Sequence, residues 1–208
     1  MKEIIVIGAG GHSRSVISTI LACNDWNIVG VYDNSYKEPG EKVLGFEIKG
    51  LIEDSYSLKI KNVVVAIGDN YKRGEIIQKY IDLGFNLPNI IHPTVQLSPE
   101  INLGKGNFIS ALSYIGPNVT IGSGNIINSA CVVEHDCLIG DNNHLAPSSS
   151  FSGNVEIKNN VFIGVGATVI NNIQITSDII VGAGSVIIRD FTIPGKKIVG
   201  VPGKYINS

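Results

Sequence analysis

The sequence is poor in charge and in cysteine, and each scarcity excludes a class of protein. Charged residues make up 16% of the 208 residues against 44% apolar residues, which excludes a disordered chain. The 16 basic and 18 acidic residues give a net charge of −2, so bulk charge predicts no nucleic-acid partner. Three cysteines are too few and oddly numbered for a disulfide framework, and they fit a reducing cytoplasm.

Long apolar runs and aromatic side chains are also scarce. No apolar run approaches about 18 residues, so we expect neither a transmembrane helix nor a membrane partner. The first apolar run ends at Gly8 and is too short for the core of a signal peptide. Aromatic residues make up only 7%, whereas glycine is abundant with 24 residues, which indicates tight turns repeated between short strands.

Residues 1–88 alternate between strand and helix patterns. Short β-branched runs, each followed by a glycine or an aspartate, occupy residues 4–7, 28–32 and 63–67. The segments 12–23 and 71–83 carry apolar residues at helical spacing. Short apolar strands separated by helices predict a small parallel α/β domain.

Residues 89–208 follow a different pattern, a repeat of six residues. Every sixth residue from Ile91 to Val199 is apolar, nineteen in succession, and the residue after it is often glycine. A short strand and a sharp turn take about six residues, so three such sides close a triangular coil of about 18 residues. Successive coils then stack at the inter-strand spacing of roughly 4.8 Å. The repeat therefore predicts an all-β parallel helix of about six coils, because an ordinary β-sandwich requires no strict period.

The hexads resemble the hexapeptide repeat of left-handed β-helix acyltransferases. Four further segments resemble one branch of these enzymes, the bacillosamine- and perosamine-type nucleotide-amino-sugar N-acetyltransferases together with the sialic acid O-acetyltransferases. These segments are GAGGH (8–12), AIGDN (66–70) with Arg73, VEHDC (133–137) and GVPGK (200–204). The resemblance implies a Rossmann-like domain over residues 1–88 that binds the nucleotide-sugar and a left-handed β-helix over 89–208 with a C-terminal tail. It also implies a cytoplasmic homotrimer with active sites between subunits, acetyl-CoA as donor and no metal.

Within the third of these segments, His135 and Asp136 are the predicted catalytic residues. His135 lies two positions after the inward Val133, so the hexad phase turns its side chain outward, where it has no packing role. Histidine suits the removal of a proton from an attacking amine, because its unperturbed pKa of roughly 6.5 leaves it largely neutral at pH 7. By resemblance, Asp136 hydrogen-bonds the imidazole and sets its tautomer; Glu134 is the alternative partner.

The resemblance also implies an acetyl-CoA site along the β-helix. His144 follows His135 by half a coil and should project from another side of the triangle, so we expect it to approach His135 of the next subunit. Backbone N–H groups at Gly153 and in residues 164–167 are the expected donors to the thioester oxygen, because glycine admits a ligand close to the backbone. The remaining predicted cofactor-binding positions are Gly164, Ala167, Gly182 and Lys204, with Lys196 and Lys197 as further candidates for the phosphates.

The N-terminal domain carries the predicted nucleotide-sugar site. Gly8, Gly10 and Ser13 stand between a strand and a helix like a dinucleotide fingerprint without its third glycine, which leaves an oxidoreductase as an alternative. About 88 residues are roughly half of a full dinucleotide fold, so a mononucleotide sugar with its phosphates at the helix N-terminus fits better. The matching positions are Gly10, Gly11, His12, Asp33, Asn34, Gly68, Asn70 and Arg73.

Three other functions compete with acetyl transfer to an amino group of a nucleotide-linked amino-deoxysugar. O-acetylation of sialic acid or a related sugar shares the same motif. Zinc carbonic anhydrases of this fold need three converging histidines, whereas here His12 lies outside the β-helix, and His92 and His135 are not a whole number of coils apart. A non-enzymatic sensor of sugar nucleotides predicts that function survives the loss of His135.

Overall fold

A computed structural model describes residues 1–206, and its N-terminal part is one sheet covered by helices. In chain order, its elements are β1 (Lys2–Ile7), α1 (Gly11–Cys23), β2 (Trp26–Tyr32), β3 (Lys42–Val43), β4 (Phe46–Gly50), a 3-10 helix (Ile52–Ser55), β5 (Val63–Val65) and α2 (Asn70–Asp82). The strand order is β3-β4-β2-β1-β5. In this sheet the β3–β4 hairpin is antiparallel and the other pairs are parallel.

The central strand β1 is buried on both faces because its side chains alternate between them. Ile4 and Val6 pack with the apolar side of α1. Ile5 and Ile7 pack on the opposite face with Ile77 of α2. Each such side chain contributes about 1.5–3 kcal/mol when fully buried. The predicted α/β domain is confirmed as Rossmann-like, and the β3–β4 hairpin and the 3-10 helix are additions to the prediction.

The rest of the chain is a run of very short strands, which pair in parallel except for the antiparallel last pair. They are β6 (Ile90–Ile91), β7 (Gln96–Leu97), β8 (Asn102–Leu103), β9 (Phe108–Ile109), β10 (Tyr114–Ile115), β11 (Thr120–Ile121), β12 (Ile126–Ile127), β13 (Val132–Val133), β14 (Leu138–Ile139), β15 (His144–Leu145), β16 (Ser150–Phe151), β17 (Glu156–Ile157), β18 (Phe162–Ile163), β19 (Thr168–Val169), β20 (Gln174–Ile175), β21 (Ile180–Val181), β22 (Val186–Ile187), β23 (Lys197–Val199) and β24 (Lys204–Ile206).

These strands form the three faces of a β-helix. One sheet contains β6, β9, β12, β15, β18, β21, β23 and β24; the second contains every third strand from β7 to β22, and the third every third strand from β8 to β20. Paired residues are 18 positions apart, as Ile127 with Leu145 and Ile139 with Ile157 show. The predicted apolar positions from Ile109 to Ile187 are all buried in the interior.

The corners of the β-helix explain the polar part of the hexad. Every sixth residue from Gly106 to Gly184 has a positive φ, and eleven of these fourteen residues are Gly, Asn or Asp. These three residue types tolerate the left-handed region best. The sequence therefore encodes one tight turn after each strand.

The repeat ends earlier than the sequence predicts. Ile193 and Val199 are 50% and 39% exposed, and Phe191 and Ile198 are buried in their place. Phe191 pairs with Ile175 and Ile198 with Val181, at intervals of 16 and 17 residues instead of 18. The prediction that the strict period continues to Val199 is wrong. Residues 192–196 leave the coil through a turn that contains Pro194, which has no backbone donor for a sheet.

The β-helix and the N-terminal domain share a core. Ile90, Phe108 and Ile126 point out of the β-helix, yet they are buried in the same cluster as Val16 and Ile17 of α1. The sheet that begins with β6 therefore serves as the docking face for the N-terminal domain. No helix in the described part of the chain is long and apolar enough to cross a bilayer.

Candidate active site

His135 and Asp136 lie together on a corner of the β-helix, directly after β13. Asp136 takes the left-handed conformation of that corner, with φ 61°, and this bend brings its carboxylate beside the preceding side chain. His135 Nδ1 is 2.7 Å from Asp136 Oδ2. The His135 side chain is 57% exposed, as the hexad phase predicts. Glu134 makes no hydrogen bond to the ring within residues 1–206, so Asp136 is the carboxylate that contacts it.

The Asp136 carboxylate is held from its other side. Asn118 Nδ2 donates a hydrogen bond to Asp136 Oδ1 at 2.6 Å. The bond from Asn118 and then the bond to His135 hold the pKa of Asp136 below its usual value, so the carboxylate is ionised near neutral pH. A carboxylate accepts only, so in the neutral ring Nδ1 carries the proton and Nε2 has the free lone pair. Asn118 was not predicted, although its distance of one coil from Asp136 was a usable signal.

Gly153 lies directly beneath the His135 ring, one coil further along. A methyl group on Gly153 would lie 2.5 Å from Nε2 and 3.0 Å from Nδ1 of His135. No real Cβ contact is that short, so the missing side chain makes room for the imidazole. His135 fills the space on the side-chain face of Gly153, so the expected approach of a ligand to the Gly153 backbone N–H stays a prediction.

His144 lies on β15, on the face covered by the N-terminal domain, and His12 of α1 is beside it. The two ring centroids are 6.3 Å apart, and His144 also packs edge-on against Phe162 at 5.1 Å. Asn128 Nδ2 is 3.4 Å from His144 Nε2. His12 is outside the β-helix in sequence, but docking of the two domains brings its ring onto the surface of the β-helix.

Burial keeps both histidines of this pair neutral. Burial, then the nearby His144 and Arg73, lower the pKa of His12 to about 3. Burial and Arg73 lower the pKa of His144 to about 4, against a smaller opposing effect of the Gly68 carbonyl. Both imidazoles are therefore uncharged throughout the physiological range.

The buried pair predicts that the protein loses stability in acid. The pKa values of both histidines are below 6.5 in the folded chain, so the unfolded chain binds more protons below about pH 6.5. We expect the two to reduce the free energy of unfolding by up to about 2.7 kcal/mol per pH unit between about pH 6 and 4.5, at about 1.4 kcal/mol per proton. Urea denaturation at several pH values measures this slope. His144→Gln should lower this slope by the contribution of about one proton. An unchanged slope would contradict the conclusion that His144 is buried and neutral in the folded chain.

A second site lies at the carboxyl ends of β1, β2 and β5. It is a cavity of about 360 Å³. Six predicted nucleotide-sugar positions line it, namely Gly10, Gly11, His12, Asp33, Asn34 and Gly68. The structure thus brings together residues from the loops that follow three separate strands.

Asp33 organises the glycine-rich side of this cavity. Its Oδ2 accepts the Ala9 N–H at 2.6 Å, and its Oδ1 accepts the Ser35 N–H at 2.7 Å. Burial opposes ionisation of Asp33, but the bonds from Ser35 and Ala9 outweigh it and hold the pKa below its usual value. Asp33 is therefore a charged residue that fixes the turn before α1.

Asn70 and Arg73 do not line this cavity; they join the two domains. Arg73 is 1% exposed, and its guanidinium donates to the carbonyls of Gly124 at 2.7 Å and Asn142 at 2.9 Å. It also donates to Asn70 Oδ1 at 2.8 Å, while Asn70 Nδ2 donates to the Val161 carbonyl at 3.1 Å. The polar atoms of these two side chains bond to each other and to backbone carbonyls of both domains rather than to the cavity, and their predicted contact with the substrate stays a prediction.

Lys72 lines the same cavity and was not predicted. The Asp69 side chain caps α2 by accepting the Lys72 N–H at 2.8 Å, which fixes the first turn of the helix. Lys72 is exposed there, one residue before the buried Arg73. The sequence offered no signal that distinguished these two neighbouring cations, since only the docked β-helix buries one of them.

Most of the predicted cofactor-binding residues in the later coils pack against neighbouring coils or face the interior. A Cβ on Gly164 would lie 2.5 Å from the Ala183 nitrogen, and one on Gly182 would lie 2.8 Å from Val199 Cγ1. Ala167 faces the interior. At these three positions small residues make room for the neighbouring coil, so any contact with acetyl-CoA would come from backbone atoms. Lys204 is exposed on β24, and its contact with acetyl-CoA stays a prediction.

Within residues 1–206, no group of three or more His, Cys, Asp or Glu side chains is arranged to hold a metal ion. His12 and His144 form a pair, but His135 lies on another corner and His92 Nδ1 contacts Thr94 Oγ1 at 2.9 Å. The described residues thus offer no three-histidine zinc site of the carbonic anhydrase type.

Comparison with known proteins identifies relatives of both domains. Residues 3–80 match the family of the PglD N-terminal domain. PerB from Caulobacter crescentus, solved in complex with CoA and GDP-perosamine, is 36% identical with a TM-score of 0.94 over 100% of this chain and 98% of that chain. The acetyltransferase domain of PglB from Neisseria gonorrhoeae, solved with acetyl coenzyme A, is 32% identical with a TM-score of 0.93, over 99% of both chains.

Curated proteins match over a shorter segment. UDP-N-acetylbacillosamine N-acetyltransferase from Bacillus subtilis is 32% identical over 114 residues, which are 53% of this chain and 52% of that protein. An uncharacterised protein of Acanthamoeba polyphaga mimivirus is 34% identical over 110 residues, 21% of its length. The chain thus spans about half or less of the length of these curated relatives. Taken with the two whole-chain structural matches, the chain belongs to the family of left-handed β-helix sugar N-acetyltransferases that carry a PglD N-terminal domain.

Proposed function

We propose that this protein transfers the acetyl group of acetyl-CoA to an amino group of a nucleotide-linked amino-deoxysugar. The observation that carries the proposal is the exposed imidazole of His135, held through Nδ1 by the Asp136 carboxylate at 2.7 Å. Its relatives support the two substrates, since PerB was solved with CoA and GDP-perosamine and the PglB domain with acetyl coenzyme A.

His135 acts as the general base in this reaction. The sugar amine attacks the thioester carbonyl carbon, and His135 Nε2 takes the proton that the nitrogen loses. The C–N bond forms, the C–S bond breaks, and the imidazolium returns its proton to the CoA thiolate. Asp136 stabilises the imidazolium through Nδ1, as the acid of a catalytic triad does, without a protein nucleophile.

The oxygen of the thioester needs a donor as it gains charge. The backbone N–H of Gly153 is at the same corner as the His135 ring and makes no hydrogen bond within residues 1–206. It is our candidate for that donor, because a fixed N–H aimed at the developing charge costs no reorganisation.

The cavity at the glycine-rich turn binds the nucleotide-sugar. Its phosphates meet the N-terminus of α1, where no side chain caps the first backbone N–H groups. The N-terminus of α2 is less available, because Asp69 caps it. Lys72, which also lines the cavity, supplies a positive charge.

We infer that the complete site forms between subunits of a homotrimer. His144 has His12 and Phe162 as its ring neighbours in the same chain. No hydrogen bond or ring contact joins it to His135 within residues 1–206. A site that contains both histidines therefore requires a second subunit, and sedimentation equilibrium gives the oligomeric state.

A panel of acceptors tests the function directly. Purified protein is incubated with acetyl-CoA and nucleotide-linked amino-deoxysugars that differ in nucleotide and amine position, and released CoA thiol is monitored. We expect thiol release with at least one amine. Release with sialic acid alone would favour O-acetylation, and no release with any acceptor would reject the enzyme.

Replacing Lys72 by methionine is expected to raise KM for the nucleotide-sugar about tenfold, because one charge-assisted contact to phosphate is lost. We expect kcat and the KM for acetyl-CoA to stay within about twofold, since His135 and Asp136 do not line the cavity to which Lys72 belongs. Steady-state kinetics of thiol release measure both. Lys79→Met, on the same helix but outside the cavity lining, is the matched control. Equal KM values for K72M and the unmodified protein would place the phosphates elsewhere.

A further inference from the structure

We propose that Asn118 is a positioning residue that holds the Asp136 carboxylate in the orientation in which it contacts His135. This inference rests on the proposed function, since it concerns the base of that reaction. Sequence comparison of motifs does not point to Asn118, which lies outside the 133–137 segment and one coil away from it.

The two oxygens of Asp136 have one partner each. Oδ1 accepts from Asn118 Nδ2 at 2.6 Å, and Oδ2 lies 2.7 Å from His135 Nδ1. A carboxylate on an exposed corner rotates about its Cβ–Cγ bond unless a partner holds it. Because Asn118 fixes Oδ1, Oδ2 stays directed at the imidazole.

The stack of residues at this corner shows why Asn118 differs from an ordinary turn residue. Residues 118, 136, 154 and 172 are one coil apart and share the same left-handed conformation, with φ values of 57°, 61°, 59° and 61°. Further along the stack, Asn154 Nδ2 donates to Asn172 Oδ1 at 2.8 Å. The Asn154–Asn172 pair thus bonds amide to amide, whereas beside His135 a carboxylate takes the place of one amide.

Asn118 could be present merely because asparagine tolerates a positive φ. Glycine tolerates that conformation at least as well and has no amide side chain. Asn118→Gly therefore removes the hydrogen bond and keeps the turn. Asn172→Gly makes the same change in the same stack, away from His135, and is the matched control.

Kinetics of acetyl transfer give the first test. N118G is expected to lower kcat about tenfold with both KM values unchanged, because the lost bond positions the base without touching either substrate. N172G is expected to stay within about twofold of the unmodified protein. Equal kcat values for N118G and the unmodified protein would overturn the proposal.

A double-mutant cycle separates positioning from a structural role. In the Asp136→Asn background there is no carboxylate to hold, so adding N118G should cause no further loss of kcat. The same fold loss in both backgrounds would mean that Asn118 acts independently of Asp136, and the proposal would be wrong.

A titration that needs no activity distinguishes failure of this inference from failure of the proposed function. In ¹³C NMR of the Asp136 carboxyl carbon, N118G should move the titration midpoint upward, because Asn118 provides the larger of the two hydrogen-bond effects that lower this pKa. N172G should leave the midpoint unchanged. No shift in N118G contradicts the inference, whereas a shift without acetyl transfer to any acceptor rejects only the function.

Discussion

His135→Ala is expected to lower kcat for acetyl transfer by at least about a hundredfold, since positioned acid–base catalysis contributes about 10²–10⁴-fold. The attacking amine would then lose its proton to water, without the base that Asp136 holds in place. The nucleotide-sugar cavity is formed by other residues, so the Kd for the nucleotide-sugar is expected to change by less than about threefold. Thiol release measures the first quantity, and isothermal titration calorimetry measures the second.

His92→Ala is the matched control for this prediction. His92 is also on the β-helix, but its ring contacts Thr94 and neither lines the nucleotide cavity nor approaches Asp136. We expect its turnover to equal that of the unmodified protein. If H135A retained full turnover, the general-base role would be wrong, and unchanged ligand binding in that variant would favour a sensor.

Gly153→Ala is expected to lower kcat about a hundredfold, because one added methyl group and the imidazole of His135 cannot occupy the same space. The ring must turn away from Asp136 or rise from the corner, and either movement misplaces Nε2. The backbone at Gly153 has no positive φ, so alanine itself is compatible with the conformation. We therefore expect the melting temperature to change by only a few degrees, about what 1 kcal/mol produces.

The control for Gly153 is the same corner position one coil further on. Asn171 is exposed there, which shows that this position accepts a side chain where no histidine lies above it. Asn171→Ala should be fully active. In the H135A background, G153A should have no further effect on kcat; an additional loss there would mean that Gly153 acts other than by making room for His135.

The repeat of six residues, read from the sequence alone, predicts most of the architecture of the β-helix. Each coil has the same pattern: apolar residues point inward from Ile109 to Ile187, and most corners carry a Gly, Asn or Asp. The same phase placed His135 outside. The period predicts the β-helix correctly because each coil pairs with the next at a constant interval of 18 residues. The same contacts therefore recur from coil to coil.

The contacts between the two domains do not follow the repeat, and only the tertiary structure shows them. Asn70 and Arg73 join the two domains, whereas Lys72 lines the cavity at the glycine-rich turn, because domain docking buries one side of α2 and not the other. Docking also brought His12 to His144. A sequence pattern shows which face a helix or coil buries within its own domain. Contacts between two domains depend instead on how their surfaces fit together, which no local period encodes.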